Sequence, residues 1–386
     1  MTKTFIKIAI VIIIIFASVG VILALVVLKK TTNSPLTPSP TPTLLASRTP
    51  SPSYTPMPTR IPTKGAWIPN WGSTAGLASL NTKSKQFQDI SPVWYEVNID
   101  GTLINKRPKE AAQIISVLTK NNVKIIPAIA MFDHEIFSPV LQTPENLDRH
   151  VQAICSESAK QQYDGIDLDY ESTKLSDKEK YFEFISKLSQ CLHQQNDLLY
   201  VTVLAKWGDD ISYPSLPETR EVQDWSEIAR FADQIRIMAY DYTYSQAAFP
   251  GPIAPLSWME QISEYAVTKV DPDKLALGIH LYGYEWFSTN ESDLTFHPVN
   301  EESLLTGNKN VRSYTYDTIL GILKNYPAGE LSDFEGEKVF KYKKGNEYRV
   351  LVFIDPAGIQ ARINLAQKYH LKGVVFWRLG GESSLL

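Results

Sequence analysis

The sequence predicts an α/β chain whose folded part is a (β/α)8 TIM barrel carrying a small α+β insertion after the seventh strand. The barrel follows an N-terminal transmembrane helix and a disordered Pro/Thr linker. Three observations lead to this reading. Short apolar runs alternate eight times with amphipathic stretches over the last 320 or so residues, one gap between runs is too long for a single helix, and the first 64 residues have no globular composition.

The N-terminal part divides in two. Between Lys7 and Lys29 lie 21 uncharged residues, Ile8 to Leu28, rich in Ile, Val and Leu. As a helix they would reach roughly 31 Å, about one hydrocarbon core. No small-x-small cleavage site follows at Leu28-Lys29-Lys30-Thr31, so residues 1–30 read as an uncleaved signal anchor crossing the membrane once through residues 8–28. Residues 31–64 hold nine prolines and nine threonines and no acidic residue. Such a segment cannot bury enough apolar area to fold, and as polyproline II it would reach on the order of 100 Å. Flanking charge does not settle orientation, with Lys3, Lys7 and the amino terminus set against Lys29 and Lys30. A stalk of this kind suits a domain held off a surface, which places residues 65–386 outside the cytoplasm at the cell membrane.

From Gly65 the composition becomes globular. The strand candidates are Gly65–Trp71, Ile90–Val97, Val123–Ala130, Gly165–Tyr170, Leu198–Leu204, Gln234–Tyr240, Leu275–Leu281 and Gly373–Trp377. Helical patterns fill most gaps, at Pro108–Lys120, Pro144–Gln162, Asp177–Gln194, Trp225–Phe231, Trp258–Lys269 and Pro356–Tyr369. An open doubly wound sheet fits less well, because no Gly-rich phosphate loop follows the first strand. The exceptional gap, about 285–355, holds a helical stretch (Tyr316–Asn325) and two strand-like runs, Lys338–Tyr342 and Tyr348–Ile354. It reads as an insertion on the rim where barrel active sites form.

Charge and composition narrow the function. Residues 1–30 hold four lysines and no acid, so the rest carries 34 basic against 42 acidic groups, and no basic patch stands out for nucleic acid. Cys155 and Cys191 fit no metal spacing. They read as two buried thiols, with a disulfide as the alternative in an exported domain. There is no G-x-S-x-G or Ser-His-Asp order for an esterase, and His134, with nothing to pair with, reads as a loop residue.

The chemistry concentrates in Asp164-Gly165-Ile166-Asp167-Leu168-Asp169-Tyr170-Glu171. Residues two apart on a strand share a face, so Asp167, Asp169 and Glu171 point into the barrel while Ile166, Leu168 and Tyr170 point towards the helices. Carboxylates stacked this closely cannot all ionise, so a proton is retained near neutral pH. A protonated carboxyl at a pocket mouth is what a general acid requires. A calcium site is the competing reading, but such sites use flexible loops with a central glycine rather than apolar strands.

Gly165 through Glu171 resembles the D-G-x-D-x-D-x-E signature of family 18 glycoside hydrolases, the chitinase-like barrels. Met238-Ala239-Tyr240-Asp241 is similar to that family's M-x-Y-D, and Trp377 stands where the family places the tryptophan that floors the −1 sugar site. Ile90 to Tyr95, Gly251 to Trp258, Leu281 to Tyr284 and Phe376 to Gly380 are most similar to the bacterial spore-germination, cortex-lytic branch. The resemblance implies substrate-assisted hydrolysis with retention, without metal or cofactor. Glu171 would protonate the glycosidic oxygen while the substrate's own 2-acetamido oxygen closes on C1. Asp169 would hold the acetamido N–H, Asp167 would share a proton with Asp169, and the Tyr240 hydroxyl would hold the acetamido oxygen. Trp377 would stack beneath the ring, with Met238, Asp241, Tyr95 and Tyr282 lining the site. The partner so implied is a GlcNAc-containing polysaccharide, of peptidoglycan or chitin type, met by a monomeric enzyme. A non-catalytic, lectin-like barrel of the same fold is the alternative; barrels of that kind lack the terminal Glu or an inner Asp, both present here.

Overall fold

The computed structural model describes residues 60–386 apart from Asp210, Pro214, 299–306, 308, 309 and Ser383. The expected anchor and nearly all of the expected linker lie outside the described residues. Among the described residues no helix is long and apolar enough to cross a membrane.

Period-two patterning along eight short runs closes them into a barrel. The strands are β1 (Thr63–Pro69), β2 (Asp89–Val97), β3 (Ala128–Met131), β4 (Gly165–Tyr170), β5 (Leu198–Leu204), β6 (Gln234–Met238), β7 (Leu275–His280) and β8 (Gly373–Trp377). Each pairs in parallel with its neighbour, and β1 bonds to both β8 and β2, which removes the sheet edges. β1 begins at Thr63, inside the stretch read as linker. β3 is shorter than the run Val123–Ala130 because Pro127 has no N–H to give; a two-residue strand at Lys124–Ile125 precedes the break.

Alternation then decides which side chains form which core. Ile166, Leu168 and Tyr170 of β4 face outward into the large cluster shared with the helices, whereas Trp67, Ala128, Ala276 and Val375 form a small separate cluster inside the barrel. The outer layer also holds the buried polar group of His150, which has partners on both ring nitrogens. His150 lies 2.8 Å from the Gly101 carbonyl and 2.7 Å from the Tyr170 hydroxyl, and burial pushes its imidazole down to about 4, so it is neutral.

The helices start where the sequence supplies caps. Thr143 accepts from the Asn146 N–H with Pro144 opening the helix Pro144–Gln161, and Asp355 does the same for Gly358 with Pro356 opening Pro356–Lys368. Cys155 and Cys191 are joined in a disulfide, Cα atoms 6.3 Å apart, between Pro144–Gln161 and Lys178–Gln194. The reading as free thiols is therefore corrected: the two helices pack side by side and bring the sulfurs together.

The long gap after β7 folds as a five-stranded antiparallel sheet with the helix Tyr316–Asn325. Its first strand, Tyr282–Ser288, lies between Val311–Thr315 and Glu347–Phe353, with Glu337–Lys344 and Glu330–Phe334 beyond. Buried Glu285 anchors it, paired to Arg349 and accepting from the Tyr342 and Tyr314 hydroxyls. The sheet is tied to the barrel where the end of β7 meets it, with His280 3.0 Å from Glu337.

Candidate active site

The C-terminal ends of the strands surround a cleft of about 360 Å³ lined by Trp67, Asp169, Glu171, Met238, Tyr240, Asp241 and Trp377 among others. The strand parity read from the sequence holds on β4. Asp167 and Asp169 are buried inside the barrel in successive layers, and Glu171, just past the strand, reaches the cleft.

The three carboxyl groups differ sharply in their surroundings. Asp167 is saturated by donors. Its Oδ2 accepts from the Trp67 indole N–H (3.0 Å) and from Arg236 (3.1 Å), and its Oδ1 accepts from the Thr202 hydroxyl (2.8 Å). Asp169 has a buried Oδ1 with no hydrogen-bond partner, and burial, then the charges of Glu171 and Asp167, hold its carboxyl well above the usual range. Glu171 is half-buried, and its carboxyl has no hydrogen-bond partner among the described residues. Burial, with Asp241 nearby, pushes it up to about 7. One proton therefore stays on the Asp169–Glu171 pair near neutral pH, while the Oδ2 of Asp167 meets two groups that can only donate.

The other walls come from β6, β7, β8 and the insertion. Met238 ends β6, and Tyr240 follows within the cleft, its hydroxyl held far above its ordinary range by burial and then by Asp169 and Glu171. Gly278 of β7 makes room for that ring, since a Cβ there would sit 2.9 Å from Tyr240 Cε1. Asp241 adopts a left-handed backbone (φ +59°) at the rim. Burial raises its carboxyl, while the Tyr282 and Tyr284 hydroxyls, both donating to its Oδ1, oppose that. The first strand of the insertion thus completes a barrel site. Trp377 closes the floor against Trp67, edge to face with centroids 6.0 Å apart.

One expected lining residue borders the cleft with its hydroxyl directed elsewhere. Tyr95 borders the cleft, but its ring is buried in the outer core and its hydroxyl bonds Glu157 (2.9 Å) and Tyr163 (2.8 Å). The cause is a β-bulge between Val93 and Tyr95, which shifts the parity of β2 so that Glu96 faces the cleft, 3.0 Å from Lys106. Several residues were not foreseen as part of the site. Trp71 and Phe132, 71% and 63% exposed, stand at the cleft walls, the Arg378 guanidinium lying 4.2 Å over the Trp71 ring. Exposed aromatics directly after strands β1 and β3 were the available signal. His134, read as a loop residue, opens the helix His134–Gln142, its Nδ1 3.0 Å from Ser172 Oγ. On the far side of Glu171 the cleft continues past Trp207, Tyr244 and Trp258. Among the described residues no group of three His, Cys, Asp or Glu is arranged to hold a metal ion.

An aromatic trough with the carboxyl of Glu171 open to it is suited to binding a sugar chain and protonating a bond within it. Comparison with known proteins agrees. The chain is 25% identical over 325 residues to the uncharacterized glycosylase YvbX of Bacillus subtilis, covering 81% of this chain and 86% of that one. It is 24% identical over 296 residues to a cortical fragment-lytic enzyme of Bacillus anthracis, covering 74% of this chain and 63%, under two thirds, of that protein. The barrel is similar to that of the Bacillus megaterium spore cortex-lytic enzyme SleL (TM-score 0.70, 21% identity, 83% of this chain and 71% of that one). A Chromobacterium violaceum chitinase gives TM-score 0.72 at 20% identity over 84% of this chain and 96% of that one. The sequence pattern of glycosyl hydrolases family 18 matches residues 69–382. The chain therefore belongs to family 18 of the glycosyl hydrolases and is a glycoside hydrolase.

Proposed function

We propose that the chain cleaves the bond on the reducing side of an N-acetylhexosamine by substrate-assisted hydrolysis with retention, in peptidoglycan or chitin-type glycans at the cell surface. The observation that carries this is the division of labour on β4. Glu171 faces the cleft with its carboxyl pushed up to about 7, which suits a general acid near neutral pH. Asp169 lies beside it with an unpartnered oxygen, suited to receive an acetamido N–H and to balance the charge of an oxazolinium ion. The other rim carboxylate, Asp241, has its Oδ1 taken by two tyrosine hydroxyls and suits sugar positioning rather than attack on C1.

The remaining roles follow from position. Tyr240 would hold the acetamido oxygen, Trp377 would stack under the −1 ring, and Met238 and Tyr282 would shape the pocket. Tyr95 would act only through the packing of β2. A site outside the cytoplasm is supported by the disulfide, which persists in oxidising compartments, and by the apolar and Pro/Thr-rich composition of residues 8–64. The test is digestion of purified peptidoglycan and of chitin oligomers, with identification of each new reducing end. New N-acetylhexosamine ends made by the wild type and not by Glu171→Gln support the proposal. Undiminished turnover by Glu171→Gln refutes it.

A further inference from the structure

The cleft beyond Glu171 carries a charged group that the hydrolysis itself does not use. Arg220, on the short helix Pro217–Val222, lines that stretch together with Trp207, Leu216, Tyr244 and Trp258. The acids there are Glu171 and Asp241, so Arg220 is the one cation among the described residues that line it.

The guanidinium is held from three directions. Nε donates to the Ala205 carbonyl just past β5 (3.0 Å), and Nη1 donates to the Ser215 carbonyl and lies 3.3 Å from Ser215 Oγ. The Tyr213 ring centroid is 5.1 Å from Cζ, and that ring is fixed in turn, its hydroxyl donating to the Gly208 carbonyl (2.7 Å) and accepting from the Trp207 N–H (3.1 Å). Lys206 bonds the backbone carbonyls of Arg220 (3.3 Å) and Gln223 (2.8 Å), which steadies the helix that carries the group. Nη2, with its two N–H, makes no hydrogen bond among the described residues.

Every partner of this half-buried cation is therefore neutral. The acids of the neighbouring surface are engaged elsewhere: Asp209 with Lys269 and the Tyr265 hydroxyl, Glu221 with Lys178, and Glu218 with the Leu175 N–H. Burial pushes the guanidinium down to about 10, with only Tyr213 opposing. A cation drawn out of water without an anion is costly, and an arriving anion offsets that cost. Fixing two loop carbonyls needs only neutral donors. A fork-shaped cation locked in one orientation with a pair of N–H left over is arranged to receive a carboxylate.

Position identifies the sugar that would bring it. Glu171, Met238, Tyr240 and Asp241 border both parts of the cleft, whereas Trp377 borders only the first and Arg220 only the second. In the proposed reaction the sugar to be attacked lies over Trp377 and Glu171 protonates the oxygen that leaves it. What reaches Arg220 belongs to the leaving sugar. We infer that Arg220 is a specificity-determining residue that binds a carboxylate carried by the sugar on the leaving side of the scissile bond. This rests on the proposed reaction and narrows its substrate to an alternating chain of peptidoglycan type, whose second amino sugar bears a 3-O-lactyl acid. An unsubstituted chitin chain has no anion to offer. The carboxylate is the free lactyl group or an acid of the peptide attached to it, and both present the same chemistry to Nη2.

The test is calorimetric binding to the full chain carrying Glu171→Gln, so that oligomers are held without being cut. Three tetrasaccharides alternate GlcNAc with its 3-O-lactyl derivative: one with the free acid, one with the acid capped as a methylamide, and one bearing the peptide stem. At least one of the two anionic chains should bind about tenfold or more tightly than the methylamide, and the tighter one identifies the source of the carboxylate. The advantage should shrink as salt rises. Adding Arg220→Met should bring the ratio of affinities close to one, and Arg220→Lys should restore part of it. Equal binding of all three chains, or a preference that persists at full size in Arg220→Met, would overturn the inference. The comparison of the three chains requires no Arg220 variant to fold. Binding of none of them, nor of a chitin tetramer, would overturn the sugar-cleft reading itself and the inference with it.

Discussion

Replacing Glu171 by glutamine should stabilise the fold while removing activity, and the stabilisation should depend on pH. Burial and the neighbouring Asp241 raise the Glu171 carboxyl from 4.5 to about 7 in the folded chain. Between those values the folded state holds a proton that the unfolded state has lost, so stability falls as pH rises through this window and levels off above it. A rise of two to three units, at about 1.4 kcal/mol each, corresponds to a penalty of about 3 kcal/mol above pH 7 and almost none near pH 4. Glutamine keeps the shape of the side chain and does not ionise. Denaturant titrations of wild type and Glu171→Gln at pH 4.5 and pH 8 would measure the difference. The variant should gain up to about 3 kcal/mol at pH 8, little at pH 4.5, and lose about 10²- to 10⁴-fold in kcat at either. An equal gain at both pH values, or a loss of stability at pH 8, would show that Glu171 is not a strained acid and that the electrostatic account of the site is wrong.

Further expectations concern individual groups. Wild-type activity should decline as pH rises through about 7, the value at which Glu171 gives up its proton, and a rate that climbs steadily to pH 9 would exclude it as the acid. Tyr240→Phe should lower kcat at least about tenfold with the fold intact, because its hydroxyl faces the cleft. Tyr95→Phe should instead cost roughly 1–2 kcal/mol of stability with kcat nearly unchanged, since its hydroxyl serves Glu157 and Tyr163; a reversed pattern would restore Tyr95 to the sugar site. Alkylation of the denatured, unreduced protein should label neither Cys155 nor Cys191, and both after reduction; labelling of both before reduction would contradict the pairing.

What could be read in the sequence was what obeys a period. The D-x-D-x-E spacing put three acids on one face because β4 is regular over Gly165–Tyr170, and the flanking Ile166, Leu168 and Tyr170 had only the outer core to enter. The same rule failed on β2, where a bulge shifts the parity between Val93 and Tyr95; a bulge leaves no mark in a run such as Ser-Pro-Val-Trp-Tyr-Glu. Arg236 was hidden for a related reason. It sits in the apolar-looking run Gln-Ile-Arg-Ile-Met, and its partners Asp89 and Asp167 lie 147 and 69 residues away, so only closure of the barrel brings them together. The helix Ser73–Lys83 is rich in Ser, Thr and Gly with little apolar periodicity, and His134–Gln142 carries an internal proline, so neither announced itself. The second wall of the site was only partly visible. Tyr282 was read as lining it, but the clamp of Tyr282 and Tyr284 on Asp241 depends on an antiparallel sheet whose first strand was not foreseen.

The central claim is that no enzyme carboxylate attacks the sugar and that the substrate's acetamido group does, with Glu171 as the single acid and base. Following the first-formed reducing end by proton NMR, on a β-linked N-acetylhexosamine oligomer the chain cleaves, tests it most directly. The account predicts that the β-anomer appears first and mutarotates only later, and that a sugar thiazoline mimicking the cyclised intermediate inhibits the reaction. An α-anomer formed first would mean direct displacement by water and would contradict it.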